Sequence, residues 1–393
     1  MYPNLYFAFK DLFGVEWTGL KLVNSFGFFV ALSFLISAWV LALELKRKTR
    51  EGLLSYKEEK VTVGKPASIG ELLLNFFIGF VFGFKLIGAF LQRDQLVDTQ
   101  SYILSTEGSW PAGIILGLLF AFMKWWELNK QKLSKPEERI VRIWPADRVG
   151  DIVIYAAVFG FLGAKIFHNL ENLDDLRKDP IGALLSFSGL TFYGGLICAT
   201  IAIWFYCLRN NMRPLVMADA FAPAMMLAYG LGRIGCQVSG DGDWGIINMQ
   251  PNPFAWLPDW AWSYNYPNNV LGEGIPITGC VGQYCNQLPH GVYPTPLYEI
   301  IMALLLFVVL WLMRKQIKTA GVITAIYLIL NGLERFLIEK IRVNTVYHIG
   351  GFTPTQAELI SSFLIIGGCI MLIILLIKKK KITGNIAAPD KSL

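Results

Sequence analysis

Long runs of apolar residues with almost no charge inside them dominate this sequence, and they leave few ways to fold. Nine such runs lie near 23–45, 70–91, 108–127, 150–168, 189–208, 217–235, 296–313, 319–340 and 357–377. Each reaches or approaches the roughly 20 residues a helix needs to cross a hydrocarbon core. Lipid offers no water to backbone N–H and C=O groups, so a spanning segment must satisfy its own by forming a helix. The expected fold is therefore all-α: a polytopic integral membrane protein of about nine transmembrane helices. The third run is the weakest, because its apolar centre from Ala112 to Trp126 is short. Composition agrees, with 54% hydrophobic and only 16% charged residues and a mean hydropathy of +0.47. Soluble chains carry roughly a quarter charged residues.

Basic residues cluster at alternate exits from these runs. Lys46, Arg47, Lys48 and Arg50 follow the first, and Lys130, Lys132, Lys135, Arg139, Arg142 and Arg148 follow the third. Arg209 and Arg213 follow the fifth, Arg314, Lys315 and Lys318 the seventh, and Lys378 to Lys381 the ninth, whereas 236–295 contains neither Lys nor Arg. Loops rich in Lys and Arg stay on the cytoplasmic side, so the expected topology is N-out and C-in. It comprises an outer segment 1–22, a transmembrane domain 23–381, an outer loop region 236–295 inserted within it, and a cytoplasmic tail 382–393. The net charge of +6 sits in these flanking clusters. No basic aromatic platform or recognition helix accompanies it, so no nucleic-acid partner is expected. The first twenty residues lack a basic n-region, an apolar core and a small-residue cleavage site, so the first run is expected to stay in the membrane.

In the outer loop, Trp244, Trp256, Trp260, Trp262, Tyr264 and Tyr266 suit the headgroup layer. Such a loop can admit a partner or substrate, or it can be a folded cap with no such contacts. Cys280 and Cys285, in TGCVGQYC on the oxidising face, are disulfide candidates. Cys198, Cys207 and Cys369 fall in helices, where thiols pack as small apolar groups, and no residue spacing resembles a metal site. The stretches 75–88 and 155–168 echo each other around Lys85 and Lys165, through either a duplicated hairpin or chance likeness of Gly/Phe-rich helices.

An ionisable residue inside a membrane helix costs about 2.5–3.5 kcal/mol on insertion scales and is by default a site candidate. Arg233 is flanked by Gly230, Gly232 and Gly235, which let backbone or ligand approach its guanidinium, and Ser239 to Asp243 follow as a polar turn. This suits an anionic headgroup held by a bidentate Arg; the alternative is an Arg that snorkels or pairs with a carboxylate. Arg335 and Glu339 share a helix face one turn before Arg342, and could hold a phosphate or form a self-satisfied ion-pair face. Glu334 is expected to point elsewhere. Gly194 and Gly195 leave Tyr193 able to face a cavity, or mark close helix packing. Tyr298 and Glu299 sit one turn inside the seventh helix, where Glu299 serves either the site or only the helix dipole.

Together these segments resemble the prolipoprotein diacylglyceryl transferase family. The resemblance rests on S-G-x-x-F-x-G-G-L at 188–196, D-x-x-A-P with G-R-x-G at 219–235, P-x-x-L-Y-E at 294–299 and R-x-x-x-E-x-x-R at 335–342, in the family's order. Phe26-Gly27 stands where the family has Tyr-Gly. The likeness covers most of 23–45 and 150–377 but little of 46–149, so a helix pair near 66–130 looks extra to a seven-span family. Tyr193 replaces the family's usual His before the Gly pair, and Cys236-Gln237-Val238-Ser239-Gly240-Asp241 departs from its Asn-containing stretch. The chain is then a divergent branch doing the same chemistry with other groups, or an inactive relative.

The resemblance implies transfer of a diacylglyceryl group from phosphatidylglycerol to the lipobox cysteine of a prolipoprotein, releasing glycerol phosphate, in a bacterial inner membrane. Its partners would be phosphatidylglycerol, the lipobox segment and membrane lipid, with no cofactor and no metal. Arg233 and Arg335 would stabilise the leaving phosphate, with Glu299, His168 or Tyr193 helping to form the substrate thiolate. Gly194, Gly195, Ser239, Asp241, Tyr298, Glu339 and Arg342 would complete the lipid site. The competing readings are another transferase acting on phosphatidylglycerol headgroups, and a transport-type or scaffold protein.

Overall fold

The computed structural model describes residues 1–91, 102, 105–178, 180, 191–344, 347 and 353–386. Ser188, Gly189 and Leu190, which open the fifth apolar run, lie outside the described residues, as does the tail beyond Ile386. The chain is an all-α polytopic membrane protein. A short amphipathic helix, α1 (Leu5–Phe13), precedes α2 (Ser25–Arg50), whose N-terminus is capped by the Asn24 side chain accepting from Phe26 N at 2.8 Å. Then follow α3 (Ile69–Phe82), α4 (Trp110–Lys130), α5 (Val149–Glu171), α6 (Phe192–Arg209) and α7 (Pro214–Ser239). After these come α8 (Thr295–Met313), α9 (Val322–Glu339) and α10 (Gln356–Ile386).

Seven helices among the described residues are long and apolar enough to cross a membrane. Of the nine expected runs, the fifth and eighth fall short of that measure. The fifth is represented by Tyr193–Arg209, which is shorter, and α9 carries Glu334, Arg335 and Glu339 within its 18 residues. Those charges lower its hydropathy, and they are also what it contributes to the site.

Helix α7 is the hub, packed against α2, α8 and α9, while α9 pairs with α10 and α5 with α6. Its inward residues Met217, Ala220, Ala224 and Leu227 join Val40, Leu41 and Leu45 of α2 in the main core, and Ala222 and Met226 meet Ala303, Leu310 and Ile323 on the other side. Asp219 fixes α9 relative to α7: its carboxylate accepts from Gly321 N at 2.7 Å, Thr324 N at 2.8 Å and Thr324 Oγ1 at 2.8 Å. It thereby satisfies donors that a helix N-terminus leaves unpaired. Asp219 is a structural anchor, and that is the physical content of D-x-x-A-P.

Helices α3 and α4 form a hairpin closed at its base by antiparallel strands β1 (Lys57–Val63) and β2 (Glu137–Ile143). Helix α3 opens with a Ser68/Glu71 capping box and runs through a π turn, Gly83–Ile87, into Gly88–Leu91. There the Lys85 ammonium is held by the backbone carbonyls of Tyr102, Ser105 and Glu107.

The segment from Gly240 to Pro294 folds as a cap. The disulfide Cys280–Cys285 closes one of its loops, and the terminal ammonium of Met1 donates to the Pro267 carbonyl at 2.7 Å. The aromatic residues divide. Trp256 and Trp260 are exposed, but Tyr266 is fully buried and packs with Trp244, Tyr264, Leu288 and Val292. These three rings form the cap's own core, because cap closure gives them apolar partners distant in sequence.

Candidate active site

The costly charges in the helices converge. Helix α7 ends at Gly240, whose left-handed conformation (φ 64°) favours glycine and turns the chain back over the helix end. The turn is then pinned: Thr295 Oγ1 donates to the Asp243 carbonyl at 2.6 Å, and Gly245 N donates to the Tyr293 carbonyl at 2.8 Å. A side chain at Gly245 would collide with the Ile341 carbonyl, where the turn bridges to Arg342 beyond the end of α9. This close approach brings Asp243, the start of α8 and the end of α9 together.

At the centre is Glu299, fully buried in the first turns of α8. Arg335 Nη1 donates to its Oε1 at 3.0 Å, Arg342 Nη1 lies 3.4 Å from the same oxygen, and the Tyr229 hydroxyl donates to it at 2.9 Å. Arg233 Nε lies 3.0 Å from Oε2, close enough for an ion pair but without hydrogen-bond alignment, so Oε2 keeps an unfilled lone pair. Asp243 bridges Arg233 and Arg342 through its two carboxylate oxygens. Arg335 also pairs with Glu339 at 3.1 Å, and Glu339 accepts from Asn344 Nδ2 at 2.6 Å. Three guanidinium groups thus share one buried pocket of carboxylates. Fixed, desolvated donors of this kind can bind a phosphodiester and stabilise charge that develops on it.

The two loop carboxyls diverge electrostatically. Burial pushes the Asp241 carboxyl up, and the negative charge of Asp243 adds to the rise. Burial would raise Asp243 as well, but Arg233 and Arg342 outweigh it and hold that carboxyl below its usual value. The donor atoms of Cys236, Asp241 and Asp243 lie within 4.8 Å of one another. Both Asp243 oxygens are already engaged by arginines, so this trio fits an ion-pair network better than a cation site.

The remaining candidates distribute as follows. Arg233, Arg335, Glu299, Glu339 and Arg342 meet in the cluster, with Asp241 beside it. Ser239 is fully buried and donates to the Gly235 carbonyl at 2.8 Å, closing the last turn of α7. The Tyr298 hydroxyl donates to the Ala261 carbonyl at 2.9 Å and ties α8 to the cap. Gly194 and Gly195 lie against Gly163, Phe167 and Gly160, where a Cβ would strike the neighbouring helix. They serve the close α5–α6 contact. Tyr193 is half-buried in the first turn of α6, a helix packed chiefly along α5. His168, near the end of α5, lies 3.3 Å from Asn172 Nδ2 through its Nδ1.

Glu334 corrects an expectation. It is buried, and its Oε1 accepts from the Tyr229 hydroxyl at 3.5 Å, so it faces the site. Helix α9 is packed on both sides, by α7 and α8 and by α10, so residues about 100° apart both point inward. Tyr229 and Asp243 complete the network without having been singled out for it. Tyr229 lies one turn before Arg233 on the same face, which is the signal that could have found it.

The family model for prolipoprotein diacylglyceryl transferase matches residues 109–374, which includes every residue of the cluster and helix α4, while α3 falls before it. Among curated relatives, the phosphatidylglycerol–prolipoprotein diacylglyceryl transferase of Finegoldia magna is 30% identical over 66% of this chain and 86% of its own length. The proteins of that name from Staphylococcus haemolyticus and Chromohalobacter salexigens are each 28% identical, over 57% and 58% of this chain and 72% and 73% of theirs. With the matched range spanning well over half of the chain and enclosing the arginine cluster, this protein belongs to the prolipoprotein diacylglyceryl transferase family.

Proposed function

We propose that this protein transfers the diacylglyceryl group of phosphatidylglycerol to the thiol of a prolipoprotein lipobox cysteine, in a bacterial inner membrane. The observation that carries the proposal is the convergence of Arg233, Arg335 and Arg342 on the buried carboxylate of Glu299, within the family-matched range. The substrate sulfur attacks the glyceryl carbon bonded to the phosphate oxygen. A sulfur–carbon bond forms, the carbon–oxygen bond breaks, and its electron pair leaves on glycerol phosphate, where the arginines receive the charge. The thiol must first lose its proton, since the thiolate is the nucleophile. Glu299 Oε1 is taken by arginines and Tyr229, and Oε2 lies against Arg233. Asp241 has no arginine at ion-pair distance among the described residues, and burial raises its proton affinity. We assign the proton to Asp241, with Glu299 as the electrostatic hub. The chemistry calls for no cofactor.

The decisive test is complementation of a strain depleted of its own transferase, read out by lipoprotein mass. Growth with diacylglyceryl-modified lipoproteins is expected. A well-expressed, membrane-inserted chain that leaves them unmodified would move the inactive or transport-type reading to first place. Modification of another acceptor on phosphatidylglycerol would favour the headgroup-transferase alternative.

The proposed topology is N-out and C-in with nine spans, and the alternating basic loops support it; of the α3–α4 pair that the resemblance makes an addition, only α3 lies outside the family-matched range. Cysteine labelling in intact cells is expected to reach 236–295 from outside and to miss 46–65, 128–149 and 378–393. Outside labelling of 128–149 would remove the added pair from this topology.

A further inference from the structure

The opposite ends of α2, α8 and α9 carry a second charged cluster that the transfer reaction does not use. Glu44, fully buried near the end of α2, clamps two arginines: Arg47 at 2.6 and 2.9 Å, and Arg314, beyond the end of α8, at 2.9 Å. Arg47 also pairs with Glu51 at 2.6 Å, and the Arg314 guanidinium lies over the Trp311 ring. These two arginines and two glutamates balance. A cleft of about 20 Å³ beside them is lined by Lys48, Asp219, Lys315 and Lys318, together with Arg47 and Arg314. Asp219 has already spent its oxygens on the α9 N-terminus.

Lys48 is the anomaly. Its side chain is only 7% exposed, yet its nearest carboxylate oxygen, Glu44 Oε1, lies 3.8 Å away, beyond hydrogen-bond reach. Among the described residues nothing else bonds its ammonium. An ammonium withdrawn this far from water without a protein hydrogen bond is costly, and this one lines the cleft. Lys315 and Lys318 stand exposed at the mouth. Counting every charged group around the cleft, five cations (Arg47, Lys48, Arg314, Lys315, Lys318) face three carboxylates (Glu44, Glu51, Asp219). The excess is two positive charges.

We infer that this cleft binds the phosphate headgroup of an anionic lipid. A cleft of this size holds about one water-sized atom, so a single phosphate oxygen enters to meet Lys48. The other phosphate oxygens stay at the mouth with Lys315 and Lys318. The acyl chains then lie along the exposed apolar faces of α2 and α8, where Leu35, Trp39, Leu305 and Leu312 are open to lipid. Calling this leaflet cytoplasmic rests on the proposed topology; the binding chemistry does not.

The test uses the full chain in phosphatidylcholine nanodiscs doped with phosphatidic acid, with bound phosphatidic acid counted by native mass spectrometry. Two sites are expected, one in each charged cluster. Lys48→Gln should weaken one of them about fivefold, and Lys315→Gln with Lys318→Gln should weaken the same one further, at roughly fivefold per lysine near a membrane surface. Arg233→Ala should affect only the other site, so failure of the transferase proposal and failure of this one remain distinguishable. Inorganic phosphate titrated into the doped nanodiscs is the second arm. Displacement of the Lys48-dependent lipid by phosphate at comparable concentration would assign the cleft to a free anion and overturn the lipid assignment. Because Lys315 and Lys318 are exposed, their variant will fold, and unchanged phosphatidic acid affinity in both it and Lys48→Gln would overturn the site altogether.

Discussion

Glu299→Gln is expected to destabilise the protein and to abolish transfer, more severely than any other single change in the site. The substitution keeps the shape of the side chain but removes the negative charge that Arg233, Arg335 and Arg342 share. It also turns an amide N–H₂ toward at least one guanidinium. Breaking a buried ion pair from one side costs about 3–5 kcal/mol, because the surviving charge stays buried. Here three charges survive, and Asp243 and Glu339 compensate only part of them. A penalty of that size is a large share of the roughly 5–15 kcal/mol that holds a typical domain folded. Thermal unfolding of the purified variant in detergent, set beside its transfer activity, reads both effects. A Gln variant that unfolds at the unsubstituted temperature and still transfers would show that Glu299 is not the hub.

The same energetics explain which parts of the site were legible in the sequence. Arg233, Arg335, Glu339 and Glu299 stand out because a charge in an apolar run is costly wherever it points. Their identities as candidates needed no knowledge of packing. Their partners did need it. Asp243 lies in a turn rich in Gly and Asp that could face any direction until Gly240 and Gly245 fix it. Glu334 escapes a reading in which one helix face carries the site, because α9 is enclosed on both sides. Gly194 and Gly195 could mark a cavity or a helix contact, and only the position of Gly163 and Phe167 decides for the contact.

The fold shows a similar division. Apolar length alone locates the helices, since lipid leaves the backbone no other option. The pairing of β1 with β2 joins segments separated by the entire α3–α4 hairpin, and no local signal announces it. Nor could local pattern tell that Tyr266 is buried while Trp256 is not, because the cap core is assembled from Met1, Trp244, Leu288 and Val292. Where the solvent dictates structure, sequence is enough; where distant segments dictate it, contact information is required.

Removal of either Arg233 or Arg335 is the change expected to report most directly on the chemistry. Both guanidinium groups reach Glu299 at 3.0 Å, so a phosphate bound against one is within the field of the other. Losing one partner of a desolvated, charge-assisted contact costs about 2–5 kcal/mol, which corresponds to roughly thirtyfold to several thousandfold in rate. Arg233→Ala or Arg335→Ala should therefore nearly abolish transfer to a lipobox peptide. Unlike the loss of Glu299, either change leaves two arginines on the central carboxylate, so the protein should remain folded. Lysine at either position keeps the charge but lacks the planar fork that grips two phosphate oxygens, and should restore only part of the rate. Tyr193→Phe provides the contrast: it should cost little if Asp241 takes the thiol proton, and nearly everything if Tyr193 does. Asp241→Asn should show the reverse pattern. Near-normal transfer by a well-folded Arg233→Ala protein would mean that the phosphate is held elsewhere, and the cluster around Glu299 would then be a structural ion-pair network with no part in the reaction.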